Sequence, residues 1–304
     1  MIYTLTLNPA LDYNIFFDEI NLGSVNRAND TEITFGGKGI NVSYVLKELG
    51  VYSTALGFAA GFTGAELLTR LCKANIITDF VRLQSGLTRI NVKLHTGQDT
   101  DINAGGPVID KKAIEKLYYK LDNIGSGDYL CLSGSIPAGV EISYADIMAH
   151  LEGKNINFVV DAEGATLTES LKYRPFLVKP NHKELGTVFG VEIVEIDDAV
   201  QYGKRLLDMG ALNVLVSMGE KGAVLIKENG AFYANAPKGK VVNTVGSGDS
   251  TVAGFVAEIN CGKTMEEALC TGVAAGSATA FTRGLGSAEQ ITLLRNEINV
   301  RRLF

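Results

Sequence analysis

The chain has 304 residues, 46% hydrophobic and 20% charged, and a formal net charge of −6. That length allows one large domain or two smaller ones with ample core, and the acidic balance argues against a general nucleic-acid or membrane surface. The opening MIYTLTLNPALDY has no basic leader and no long apolar run, so neither a signal peptide nor a membrane span is expected. Cys72, Cys131, Cys261 and Cys270 are far apart with no CxxC pair, which predicts free, buried thiols in a reducing cytoplasm.

Residues 2–7 form an apolar run that reads as a strand buried on both faces. Asp12 follows its C-terminal end, the edge where open α/β sheets bind ligands; closing an Asx turn is its alternative role. Residues 27–35 look extended. Gly36-Gly37-Lys38-Gly39-Ile40-Asn41 then opens a helix with Val42, Val45, Leu46 and Leu49 on one face and Gly50 as its stop. The loop offers Lys38 and Asn41 to a polar ligand, against the alternative of a plain turn with a solvated lysine. Residues 51–58 read as a strand and 64–72 as a helix.

Residues 88–94 alternate, with Ile90, Val92 and Leu94 on a face expected to be covered and Arg89, Asn91 and Lys93 on a polar face. Thr96-Gly97-Gln98-Asp99 turns the chain towards 100–103, giving a hairpin. It interrupts the βα rhythm and belongs in a small sheet with 12–35, outside the main fold. Such a sheet can act as a lid that carries Arg89 to a substrate phosphate, or simply present a solvated basic face.

Strands are next expected at 129–132, 158–160, 176–178, 213–216 and 223–226, with helices such as 142–151 and 197–209 between them. Polar or glycine residues gather at the strand ends: Ser133-Gly134-Ser135, Asp161, Lys179-Pro180-Asn181 with Glu184, and Ser217-Met218-Gly219 with Gly222. This is the alternation of a mostly parallel, Rossmann-like α/β sheet with helices on both faces. Residues 265–281, rich in Ala, Gly, Ser and Thr, read as a closely packed helix.

The chain is organised around residues 241–254, VVNTVGSGDSTVAG, which read as strand, glycine turn and helix. Val252, Phe255, Val256 and Ile259 give the helical face. The unpaired N–H groups and partial positive charge of a helix start, opened by Gly246, Ser247 and Gly248, suit a phosphate or a developing oxyanion. Asp249 at that mouth would repel an anion but could take a proton from an attacking hydroxyl; helix capping is its alternative role. The AEINCGKT run at 257–264 lies at a helix end and lacks the first glycine of a Walker loop. No GxGxxG fingerprint or HExxH is present, which disfavours a nicotinamide-dependent oxidoreductase and a protein-built zinc site.

The pair GGKGIN and NTVGSGDSTVAG resembles the two signatures of the phosphofructokinase-B, or ribokinase-like, sugar kinases. TLNPALDY, TRINVK, INAGGP, LSGSIP, VKPNHKELG and VSMGEKGA match that family in register along the whole length, most like its bacterial 1-phosphofructokinase branch. The resemblance implies one ribokinase-like domain over 1–304 with a small β-sheet lid at about 12–35 and 87–106, often used in homodimers. It implies ATP- and Mg²⁺-dependent phosphorylation of D-fructose 1-phosphate at the 6-hydroxyl. The alternative is a tagatose-6-phosphate kinase or related ketohexose-phosphate kinase. A non-catalytic sugar-phosphate sensor on this fold is a reading of a different class, against which the intact Gly246–Asp249 run argues.

By the same match, Asp249 would be the base and Gly246, Ser247 and Gly248 the anion hole. Asp12, Gly37, Asn41, Asn103 and Ser135 would hold the sugar, with Lys38, Arg89 and Arg27 facing its phosphate. Lys179, Asn181, Glu184, Ser217, Gly219 and Gly222 would serve the nucleotide, Glu184 reaching Mg²⁺ through water. Residues 280–286 match the family's monovalent-cation loop only loosely, which leaves potassium dependence open, and Glu163 stands where relatives carry a small residue.

Overall fold

The computed structural model describes residues 1–96, 99–137 and 139–304. An eleven-stranded sheet forms the body. Its centre runs Asn213–Ser217, Leu177–Val178, Asn157–Asp161, Tyr129–Ser133, Ile2–Thr6 and Thr54–Ala60, each parallel to the next. Ala223–Lys227, Gly230–Ala234 and Val300–Arg302 extend one edge antiparallel.

Parallel strands need crossovers, and the crossover helices bury both faces. One strand shows this directly. Leu130 and Leu132 enter the apolar cluster packed by helices Lys111–Leu121, Tyr144–His150 and Ile196–Asp208. Cys131, between them, enters the opposite cluster with helices Lys38–Glu48, Ser247–Asn260 and Met265–Ala280. The last two helices pack closely because glycines face backbone: a Cβ at Gly254 would lie 2.6 Å from the Thr271 carbonyl oxygen. The close helix packing expected from the small residues of 265–281 is therefore present. Among the described residues, no helix is long and apolar enough to cross a membrane.

A second sheet of four strands runs Asp30–Gly36, Ala10–Phe16, Arg89–His95, Thr100–Ile102. Its period-two alternation is reinforced strand by strand. Leu11 lies beside Phe35 and Ile90, Tyr13 beside Ile33 and Val92, and Ile102 beside Val92, so one face is apolar. Asp12, Asn91 and Thr34 share the other face.

Three expectations are corrected. The apolar face of the hairpin was expected to be covered, yet Ile90 is 41% exposed and Asn91 is buried; the sheet turns its polar side inward over the body. Leu11 alone on that face is fully packed, against Ile40, Leu67 and Leu71. Residues 241–245 are not a strand: they pair with no sheet, and Val242 and Asn243 donate instead to the carbonyl of Ala280. The four cysteines are free, but Cys72 and Cys261 are exposed rather than buried. The expected turn at 96–99 includes Gly97 and Gln98, which lie outside the described residues.

Candidate active site

The C-terminal ends of the parallel strands, the start of the Ser247–Asn260 helix and the inward face of the small sheet enclose a cleft of about 1400 Å³. At its centre is Asp249, 5% exposed. Gly246 caps the helix with φ +82°, a conformation that glycine adopts without strain, and no side chain caps the helix N-terminus. Asp249 is the third helical residue and does not serve its own helix. Its Oδ2 accepts a hydrogen bond from Asn41 Nδ2 at 2.8 Å, which removes the capping alternative. Asn41 comes from the first turn of Lys38–Glu48, so the two glycine-bounded helix starts meet here.

Beside this pair, Asp161 Oδ1 receives Lys38 Nζ at 3.3 Å and Lys179 Nζ at 3.4 Å. Burial opposes the charge on Asp161, but Lys179 and Lys38 outweigh it and hold the carboxylate below its usual range. Burial likewise opposes the charge on Lys38, and Asp161, Asp249 and Glu184 together keep it above the ordinary lysine range. Asp249 moves the other way. Burial, and then the charge of Asp161, push it up to about 7, against the pull of Lys38, Asn41 and Lys179. The site thus holds two locked ammonium groups and one carboxylate poised to exchange a proton near neutrality.

At one end of the cleft, Asp12 is fixed from the small sheet. Its Oδ1 accepts from Asn91 Nδ2 at 2.9 Å, and Lys93 Nζ lies 3.9 Å from its Oδ2. The chain at Gly36 passes so close that a Cβ would stand 2.6 Å from Asp12 Oδ2. Arg89 lines the same end, donating from Nε to the Asn8 carbonyl at 3.2 Å and from Nη1 to that of Ala104 at 3.3 Å. At the other end, Asn181 and Glu184 bond each other reciprocally in a capping box that opens the His182–Phe189 helix. Ser217, Gly219 and Gly222 border that end, and Ser277 of the Met265–Ala280 helix also lines the cleft.

Gly37, Ser135, Ser247 and Gly248 also line the cleft, whereas Arg27 and Asn103 are exposed and do not line it. The sequence reading placed Asp161 at a strand end without giving it a role, and it missed Asn91 and Lys93 as site residues. Asp161 had the signal of a carboxylate ending a parallel strand. The other two sat on the polar side of an alternating hairpin whose orientation is a tertiary matter. Among the described residues, no three His, Cys, Asp or Glu side chains form a metal cage. One cleft-lining carboxylate, Glu184, fits a divalent ion held mostly by phosphates and water.

The arrangement can deprotonate a hydroxyl and neutralise a phosphoryl group between two separate binding ends. The sequence profile of the pfkB family carbohydrate kinases matches residues 6–292. A 1-phosphofructokinase of Bacillus subtilis (strain 168) is 45% identical over 305 residues, covering 100% of both chains. A D-tagatose-1-phosphate kinase of Bacillus licheniformis is 37% identical over 305 residues, again covering 100% of both. Phosphofructokinase-2 from Escherichia coli has been solved with substrates and products and with potassium. It is 30% identical, with a TM-score of 0.91, over 97% of this chain and 98% of that one. The chain belongs to the pfkB family of carbohydrate kinases, and that family's chemistry implies ATP and a divalent metal.

Proposed function

We propose that the protein transfers the γ-phosphoryl group of ATP to the 6-hydroxyl of D-fructose 1-phosphate, giving fructose 1,6-bisphosphate. The observation that carries this reading is the buried Asp249 held by Asn41 beside Lys38, Asp161 and Lys179, in a chain 45% identical from end to end to a 1-phosphofructokinase. Phosphoryl transfer has a loose transition state, so positioning and charge neutralisation supply most of the catalysis. Asp249 takes the hydroxyl proton. The backbone N–H groups opened by Gly246, Ser247 and Gly248 face the developing charge, and Lys38 and Lys179 neutralise it.

Asp12, Gly37, Asn41 and Ser135 hold the sugar, and Arg89 faces its 1-phosphate; Arg27 and Asn103 reach it only if the exposed segments that carry them move. Asn181, Glu184, Ser217, Gly219 and Gly222 serve the nucleotide end. Glu184 would hold Mg²⁺ through water at the nucleotide end, and the ion would screen phosphate charge there.

The small sheet acts as the lid. Ile33, Ile90 and Ile102, 40–55% exposed on its outer face, are the surface through which two copies pair. The reading places the enzyme in the cytoplasm, where its four free cysteines stay reduced.

Initial rates of ADP release with ATP and Mg²⁺ test the acceptor, offering fructose 1-phosphate, tagatose 1-phosphate, tagatose 6-phosphate and fructose 6-phosphate in parallel. The highest kcat/KM is expected for fructose 1-phosphate. The second reading follows from the B. licheniformis relative, whose name puts the phosphate at C1 of tagatose, not at C6 as in the sequence-based alternative. Fructose and tagatose differ only at C4, so preference between their 1-phosphates rests on contacts to one hydroxyl. A clear preference for either tagatose phosphate overturns the acceptor assignment and keeps the mechanism. Rates with and without potassium decide the cation dependence.

A further inference from the structure

Asp161 ends the Asn157–Asp161 strand and is 1% exposed. Its single oxygen Oδ1 takes the ammonium groups of two lysines from distant parts of the chain. Lys38 opens the helix after the glycine loop, and Lys179 follows the Leu177–Val178 strand. Among the described residues, the ion pair that each lysine makes is this one. Like charges brought to one point repel, and long lysine stems allow them to part once the carboxylate is gone.

Asp161 Oδ2 is buried and has no hydrogen-bond partner within the protein, nor has Oγ of Ser133, its cross-strand neighbour. A carboxylate kept only to tie segments together has both oxygens satisfied, because an orphaned buried acceptor is costly. Asp161 also lines the cleft that holds Asp249.

We propose that Asp161 is a positioning residue for phosphoryl transfer: it gathers the ammonium groups of Lys38 and Lys179 at one point beside Asp249 and so fixes where the transferring group is neutralised. The inference rests on the kinase reading above. Asp161 acts through the lysines and stands behind them. It also sets a fixed negative charge near the base. The groups facing Asp249 are Asp161, Lys38, Lys179 and Asn41, and of these Asp161 alone disfavours the ionised carboxylate. Glu184 faces Lys38 from the nucleotide side.

The test compares Asp161→Asn with the wild type in kcat, in KM for each substrate and in the pH profile of kcat/KM. A kcat lower by about 100-fold or more is expected, the size of losing a preorganised electrostatic contact. Both KM values should stay within about fivefold. The acidic limb should also move, because Asp249 loses its negative neighbour together with the ammonium groups gathered beside it. A residue that only held the fold would lower thermal stability without lowering kcat of the folded enzyme at unchanged KM. A kcat near the wild-type value overturns the proposal.

If Asp161→Asn does not fold, Asp161→Glu carries the test. It keeps the charge and displaces the lysines, so kcat should fall; wild-type kcat in that variant overturns the proposal. Rates are taken on whichever sugar phosphate the wild type uses best. A wrong acceptor then shows in the wild type and leaves the comparison of variants intact.

Discussion

The two sheets meet the substrate cleft in opposite ways. The large sheet brings charge to its C-terminal edge after burying nearly everything else. Asp161 is 1% exposed and Lys179 4%; the two are paired with each other, and Asp161 also pairs with Lys38. The small sheet brings charge on one face of a ribbon whose other face is half bare. There Asp12 is 14% exposed, and Lys93 stands 3.9 Å from it and 3.5 Å from the more exposed Asp101. Buried charges interact strongly and are screened little, whereas partly solvated ones contribute less. On the proposed function, the large sheet would hold reacting groups in one geometry, and the small one would bind and release.

The sharpest way to break that comparison is Asp249→Asn. Loss of a general base should lower kcat by about 10²–10⁴-fold while leaving KM for either substrate much closer to normal, as steady-state rates would show. The same variant should melt at a higher temperature near neutral pH. The folded carboxylate is pushed up to about 7 by burial and by Asp161, so it binds its proton more tightly folded than unfolded. Its contribution to stability is present at acid pH and is lost as pH rises from the unfolded carboxylate range, near 4, through 7. Asparagine removes that loss, and a gain of about 1 kcal/mol would raise the midpoint by a few degrees. An unchanged or lower midpoint would mean that Asp249 carries no such penalty.

Lys179→Met probes the same floor and should lower kcat by about 10²–10³-fold. A loss confined to KM would place Lys179 in binding and not in the transition state. The wild-type profile of kcat/KM should itself rise with pH through about 7, since the base must be ionised to accept a proton. A profile flat from pH 5 to 8 would contradict the raised carboxylate.

Changes in the small sheet should be milder and of another kind. Asp12→Asn removes a charged hydrogen-bond acceptor, worth about 1.5–3 kcal/mol, and should appear mainly as a 10- to 100-fold rise in KM for the sugar phosphate. Equal loss of kcat would mean that the small sheet carries transition-state contacts after all. The smallest effect on turnover is expected from Ile90→Glu on the bare outer face. Light scattering should show a lower molecular mass, with kcat changed less than in any variant above. An unchanged mass would remove that face from the proposed pairing.

The parallel core was legible because both-side burial writes itself as continuous apolar runs, Leu130-Cys131-Leu132 among them, each ending in polar residues. The helix starts at Lys38 and Ser247 were legible from glycines followed by a 3.6-residue period. Residues 241–245 misled for the same reason that short apolar runs do. β-branched composition does not supply a pairing partner, and the Ala280 carbonyl took the backbone donors instead. The hairpin at 89–102 showed its two faces plainly, but alternation is symmetric: it says that the faces differ and not which one turns inward.

The sequence by itself determined the α/β class, the family, and Asp249, Lys38, Asn41, Lys179 and Asp12 as the polar groups to watch, because local periodicity, glycine spacing and motif order are properties of contiguous residues. Only the tertiary structure decided that Asp161 joins Lys38 to Lys179, that Asn41 and not a helix cap holds Asp249, and that Asn91 and Lys93 face Asp12. Each of these is a meeting of side chains far apart in the chain, up to 208 positions for Asn41 and Asp249. No local pattern encodes such a meeting; the order and register of the strands that carry them do.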